Sequence, residues 1–218
     1  MNFFEEVLAS KFGRSYVDKL GNVKVGIAGA GGLGSNCALN LVRCGFKDII
    51  VADLDVVEHS NLDRQFYFYA QAGMKKVEAL TANLLKVNPA LKIKGFNVRV
   101  DEGNVHEIFG ECDIVVEAFD GAESKRMIIE TFMGTGKFLV SASGICGIGD
   151  TDGIKTRKLR PELVMIGDLV SDYRRCLPVS PRVNVAAAKQ ADAVLEYVLG
   201  SGKGVMSRAT ENTGEQRQ

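Results

Sequence analysis

VKVGIAGAGGLGSN at residues 23–36 and DIIVADLDVVEHSNLDRQ at residues 48–65 decide how this chain is read. The first begins as an apolar, β-branched run and breaks into Gly29-Ala30-Gly31-Gly32-Leu33-Gly34, the pattern of a buried parallel strand turning sharply into a helix. Glycines at 29, 31 and 34, with Gly32 in the same turn, remove Cβ atoms that would hold a phosphate away from the backbone, so N–H groups at the helix start can face an anion. The second stretch runs Ile49-Ile50-Val51-Ala52 into Asp53. An acid roughly 20 residues past such glycines, at the tip of the second strand, is placed to accept hydrogen bonds from a ribose. This pattern predicts a nucleotide site.

The loop beyond Asp53 sharpens that reading. Asp55, Asn61, Arg64 and Gln65 form a polar cluster just past the carboxyl end of a strand, where open α/β sheets bind ligands. A dinucleotide needs little from this loop, whereas a triphosphate needs cations and amide donors at its charged end. The loop tilts the reading from NAD toward ATP.

Composition bounds the remainder. With 218 residues and 46% hydrophobic content, the expectation is one nucleotide-binding domain over residues 1–200 and a small, polar, flexible tail over 201–218. The 27 basic and 27 acidic side chains balance, which argues against a nucleic-acid or membrane-surface partner. Long apolar runs and a signal-peptide pattern are missing, so a soluble, cytoplasmic protein is expected. Cysteines 37, 44, 112, 146 and 176 are odd in number and make no C-x-x-C pair. Neither a disulfide framework nor a four-thiolate zinc site is expected, and the cysteines read as small buried hydrophobes.

Along the chain, residues 3–20 are expected as one amphipathic helix, 23–28 as the first strand, 33–44 as a helix closing at Gly45, and 48–52 as the second strand. Tyr67, Phe68 and Tyr69 are expected to pack the polar loop onto the body. A helix over about 72–87 ends at Asn88-Pro89, followed by a strand over 92–100 and a short helix over 105–109. Residues 112–119 form the fourth strand, running into Asp120-Gly121, then a helix over 124–135 and a strand over 137–142. This alternation predicts an α/β, doubly wound, Rossmann-like and mostly parallel sheet. Residues 154–159 and 163–166 flank Arg160-Pro161-Glu162 and are expected as a C-terminal antiparallel extension, with a last helix over 181–199.

The combination GAGGLGSN with D-x-D-x-V-x-x-S-N-L-x-R-Q at residues 53–65 resembles the ThiF/MoeB adenylyltransferases, relatives of the ubiquitin-activating enzymes, over nearly the whole chain. The short length and the ending P-R-V-x-x-A-A-A-x-Q look most like compact ThiF members associated with thiamine biosynthesis. The resemblance implies ATP- and magnesium-dependent adenylation of the C-terminal glycine of a small ubiquitin-like sulfur carrier with a Gly-Gly end, ThiS-like or MoaD-like, by a homodimer. Carried over by position, Asp53 would hold the ribose, Asn61 and Arg64 the triphosphate, and Asp120 the magnesium. Lys76, in A-x-A-G-x-x-K, would be the phosphate lysine, and Arg14 the arginine reaching a neighbouring subunit. The chain departs from larger members in lacking paired C-x-x-C motifs, so no structural zinc is expected. It also has Gly121 where asparagine is common, and Lys125 where many have arginine. Cys146 and Cys176 lie in the late loops where some relatives use a cysteine, but match no motif and read as structural or incidental. Two other classes compete with this one: a nicotinamide oxidoreductase, which leaves Asn61-Arg64-Gln65 unexplained, and a scaffold without chemistry, against which Asp53, Arg64, Lys76 and Asp120 stand.

Overall fold

The structure is a computed structural model that describes residues 2–200; the expected tail at 201–218 lies outside the described residues. Its centre is a seven-stranded sheet built from β1 (Lys24–Ala28), β2 (Asp48–Ala52), β3 (Lys92–Phe96), β4 (Ile114–Glu117), β5 (Phe138–Ala142), β6 (Lys155–Arg160) and β7 (Leu163–Gly167). Their order is β3-β2-β1-β4-β5-β7-β6, and all neighbours are parallel except β6 and β7. The predicted doubly wound sheet with an antiparallel extension is the fold observed.

The strand sequences explain the burial. Val25 and Ile27 of β1, Ile49 and Val51 of β2, and Ile114 and Val116 of β4 face one core. Ile50, Ala52, Val115 and Leu139 point the other way into a second. Side chains alternate across a strand, so a strand covered on both faces must be apolar throughout. The first core is closed by α1 (Phe3–Phe12), α2 (Arg14–Gly21), α3 (Gly32–Cys44), α4 (Lys76–Leu85) and α7 (Ser180–Leu199). The second is closed by α5 (Val105–Phe109) and α6 (Ala122–Phe132). Chain order reverses between β1 and β4, and the carboxyl ends of these two strands open a crevice between their connections.

Several boundaries differ from the sequence reading. The single helix expected over 3–20 is two, because Gly13 adopts φ 88° and its N–H closes on the Ala9 carbonyl at 2.9 Å, capping α1. Asn2 and Glu5 form a capping box at the start of α1. The helix expected from 72 begins instead at Lys76. Residues before it run antiparallel to the polar loop, with Val57 N–H on the Met74 carbonyl and Gly73 N–H on the Val57 carbonyl, each at 2.8 Å. The third strand stops at Phe96 rather than continuing to 100, since the chain leaves the sheet to wall the crevice. The fourth strand is Ile114–Glu117 rather than 112–119. Of the aromatic clump, Tyr67 is buried and its hydroxyl donates to the Ala30 carbonyl at 2.7 Å, whereas Phe68 and Tyr69 are exposed. Among the described residues, no helix is long and apolar enough to cross a membrane.

The turn from β1 into α3 is the tightest point. Gly29 has φ 104°, and a Cβ on residue 34 would lie 1.8 Å from the Gly29 carbonyl oxygen. At residue 31 the nearest atom to an added Cβ is Gln65 Nε2 at 3.9 Å. Gly34→Ala is therefore expected to cost about 1–3 kcal/mol of stability, the usual range for overpacking, and Gly31→Ala less than about 1 kcal/mol. Urea unfolding of both variants checks the order, and equal costs would refute the packing argument.

Candidate functional site

A cavity of about 830 Å³ opens at the β1/β4 crevice. It is bounded by the glycine turn, the acid at the end of β2, the polar loop, the first turn of α4 and the β4–α6 connection. Gly29, Gly31, Gly32, Asp53, Asp55, Arg64, Gln65, Lys76 and Asp120 all line it. The sequence proposed these positions from 29 to 120, and the fold brings them to one place. Gly34 does not line the cavity; it lets the turn close.

Asp53 is fixed from two sides. Its Oδ2 accepts the Ala30 N–H at 2.6 Å and its Oδ1 the Asp55 N–H at 2.8 Å. Burial pushes its carboxyl above the ordinary range, while the Ala30 N–H and the Lys76 ammonium pull the other way. Lys76, at the start of α4, is almost wholly buried along its stem and sets its Nζ 2.7 Å from Asp55 Oδ2. The neighbouring Lys75 instead pairs with Glu78 on the surface and does not line the cavity. Arg64 donates to the Ser60 carbonyl at 2.9 Å and to Asp63 at 2.6 Å. Gln65 presents a buried Oε1 that meets no partner. The open space above Gly31 and the cations fit an anionic nucleotide.

Besides Gly34, two proposed residues stand elsewhere. Asn61 is buried under the loop, where its Oδ1 accepts the Glu58 N–H at 3.0 Å and so shapes the turn that carries Arg64. Arg14 opens α2 and is not among the residues lining the cavity of its own chain.

Sequence reasoning missed the opposite walls. Leu54, Val98 and Val100 give an apolar flank next to Asp53, with Arg99 beside them. Tyr173, Leu177 and Pro178 come from a segment after β7. Burial raises the Tyr173 hydroxyl pKa, as does the charge of Asp120, while Arg64 opposes it. Tyr173 lines the cavity together with Arg64 and Asp120. No local motif announces this segment; only the tertiary path brings it there.

The segment is tied down in two ways. Cys146 and Cys176 form a disulfide with Cα atoms 5.7 Å apart, correcting the expectation that the cysteines stay unpaired. The scattered spacing hid it, because the two residues meet only when the loops after β5 and β7 converge. Arg182 on α7, 4% exposed, donates to the carbonyls of Gly149 and Asp150 at 2.8 and 2.7 Å and pairs with Asp168 at 2.5 Å.

Behind Asp120 lies a carboxylate inside the sheet. Glu117 is 1% exposed, and its oxygens accept from the Phe119 N–H at 2.7 Å, Lys125 Nζ at 3.1 and 3.2 Å, and Ser141 Oγ at 2.5 Å. Burial pushes this carboxyl up, against the pull of Lys125 and Ser141. An acid within an otherwise apolar strand was the signal in the sequence.

Fold and site together define a Rossmann-like α/β protein with a glycine turn and cations converging on one cavity at the sheet's switch point. The chain belongs to the ThiF family, whose model matches residues 4–213. It is 33% identical over 183 residues to the adenylyltransferase and sulfurtransferase UBA4 of Candida glabrata, covering 84% of this chain and 40% of that protein. SUMO-activating enzyme subunit 2 of Dictyostelium discoideum is 36% identical over 118 residues, 53% of this chain and 18% of that protein. The chain thus spans about 40% of the length of the first of these relatives and less of the second. Among solved structures, E. coli tRNA N6-threonylcarbamoyladenosine dehydratase, TcdA, in complex with ATP superposes with a TM-score of 0.80 at 18% identity, covering 88% of this chain and 92% of that one. E. coli MccB with ATP superposes with a TM-score of 0.68 at 24% identity, covering 84% and 58%. At these identities the likeness to the solved structures shows the fold.

The Asp168 carboxyl works against its own burial, but the N–H groups of Ser171 and Val170 and the Arg182 charge together hold its pKa below the ordinary value. A depressed native pKa contributes stability that is full above the ordinary carboxylate value of about 3.9 and is lost as pH falls through the native value. The stability advantage of the wild type over Asp168→Asn should hold at neutral pH and shrink as pH drops below about 4. Urea unfolding across that range checks it; an advantage that does not change with pH would refute the assignment.

Proposed function

We propose that this chain is an ATP-dependent adenylyltransferase acting on the C-terminal glycine carboxylate of a small ubiquitin-like sulfur carrier. The observation that carries the reading is the convergence of Asp53, Arg64, Lys76 and Asp120 on one cavity at the mouth of the glycine turn. Support comes from the relatives, one named an adenylyltransferase and sulfurtransferase and another a SUMO-activating subunit. Solved ATP complexes of two fold neighbours support it further. The domain reading belongs with this, as one nucleotide-binding unit over residues 1–200.

In this reading the backbone N–H groups at the start of α3 cradle phosphate, and Asp53 accepts the ribose hydroxyls. Leu54, Val98 and Val100 flank the base. Two anions, a carboxylate and a triphosphate, must meet, so charge has to be neutralised before attack at the α-phosphorus. Lys76 and Arg64 do this by exchanging their present partners, Asp55 and Asp63, for phosphate oxygens. Both acids are largely exposed and can be released to water, while the buried Lys76 and the mostly covered Arg64 keep a charged partner by taking phosphate oxygens in their place. A magnesium ion needs few protein ligands when phosphates supply the rest, and Asp120 fits that role; when bound it would draw charge from the departing pyrophosphate. The carrier's own carboxylate is the nucleophile, so no protein nucleophile is needed. The carrier is read as Gly-Gly-ended and ThiS-like, serving thiamine thiazole synthesis, with a MoaD-like protein as the alternative. The enzyme is read as a soluble, cytoplasmic homodimer in which Arg14 reaches the neighbouring subunit's site.

ATP–pyrophosphate exchange that depends on a carrier with an intact Gly-Gly end is the expected result. Asp120→Ala should abolish it with the fold retained, and Arg64→Ala should slow it by about 10²-fold or more. Near-normal exchange by either variant removes that residue from its role. Carrier binding without exchange would support a scaffold, and NADH binding without either an oxidoreductase.

A further inference from the structure

The buried group left without a task in that reaction is Glu117. Ionised carboxylates are almost never fully buried unless paired. This one has three partners drawn from three directions: the backbone N–H of Phe119, the Lys125 ammonium on α6, and the Ser141 hydroxyl on β5. Its own carbonyl accepts Gln190 Nε2 of α7 at 3.0 Å. Glu117 ends β4 and Lys125 lies in α6, so the pair brackets the connection that carries Ala118, Phe119, Asp120, Gly121 and Ser124 into the cavity wall. Lys125 does not line the cavity, and its side chain is 19% exposed. The ammonium is thus spent on Glu117 and not on the ligand.

We infer that Glu117 is a positioning residue: with Lys125 and Ser141 it clamps the β4–α6 connection so that the Asp120 carboxylate is held at the polyphosphate end of the cavity. This rests on the reading of Asp120 as the magnesium-side acid. Replacing both members of a buried pair leaves no stranded charge, whereas removing one does. The Glu117→Gln/Lys125→Met double variant is therefore the informative one, and its glutamine side chain leaves the Phe119 N–H only a neutral, weaker acceptor.

The test is isothermal titration of ATP with and without magnesium, alongside hydrogen exchange at the Phe119 amide and thermal melting. In the double variant, the gain in ATP affinity that magnesium confers should fall about 10- to 100-fold, the usual cost of losing a group that orients a metal ligand. Affinity for ATP alone should stay unchanged, and the Phe119 amide should exchange faster. Lys125→Arg alone, which keeps the charge, should keep the magnesium gain. Should the double variant fail to fold, Ser141→Ala must show the same loss in smaller measure. Equal weakening with and without magnesium, or no change in either, overturns the clamp. Asp120→Asn separates the two ideas. If it removes the magnesium gain while the double variant does not, the clamp alone falls; if it leaves the gain intact, the magnesium reading falls and takes the clamp with it.

Discussion

The molecule is organised around the close approach of the Gly29 carbonyl to the backbone of Gly34. That contact, 1.8 Å from where a Cβ at 34 would lie, folds the first helix of the sheet layer back hard against the end of the first strand. It leaves the Ala30 N–H free to bind Asp53 and points the start of α3 into the crevice. The Tyr67 hydroxyl grips the same turn through the Ala30 carbonyl. A bulkier residue at 34 would separate helix from strand, and the glycine turn, Asp53 and the polar loop would lose their common reference.

The charges at the site fall into two kinds. Asp55 and Asp63 are largely exposed partners of Lys76 and Arg64, so in each of these pairs the acid stands open to water and to exchange. Glu117 and Lys125 are withdrawn from water, where breaking a pair strands a costly charge. The first arrangement can be exchanged for a ligand and the second cannot. On the proposed function, a site that neutralises a triphosphate while keeping its own geometry needs both.

The far wall is held by different means. Two loops with little regular structure, after β5 and after β7, supply Ile145, Tyr173 and Leu177. Arg182 bonds carbonyls of the first and the carboxylate of Asp168 in the second, and the Cys146–Cys176 bond joins them again. The Gly147 N–H also donates to the Leu177 carbonyl at 2.9 Å. Irregular loops lose much entropy when ordered, and cross-links between them reduce that cost.

The sequence by itself determined the strand–helix alternation, the glycine turn and the polar residues just past β2, because each rests on local rules: apolar periodicity, the missing Cβ, and short spacing along one loop. It overran β3 and α4 because periodicity carries no record of where the chain leaves the sheet. It read residues 3–20 as one helix because Gly13 ends a helix only by adopting a backbone angle that composition does not reveal. What the tertiary structure decided was which distant groups meet: the disulfide, the Arg182 anchor and the wall bearing Tyr173. Those depend on long-range convergence of the loops after β5 and β7, which Arg182 of α7 bridges and which no pattern within any one segment records.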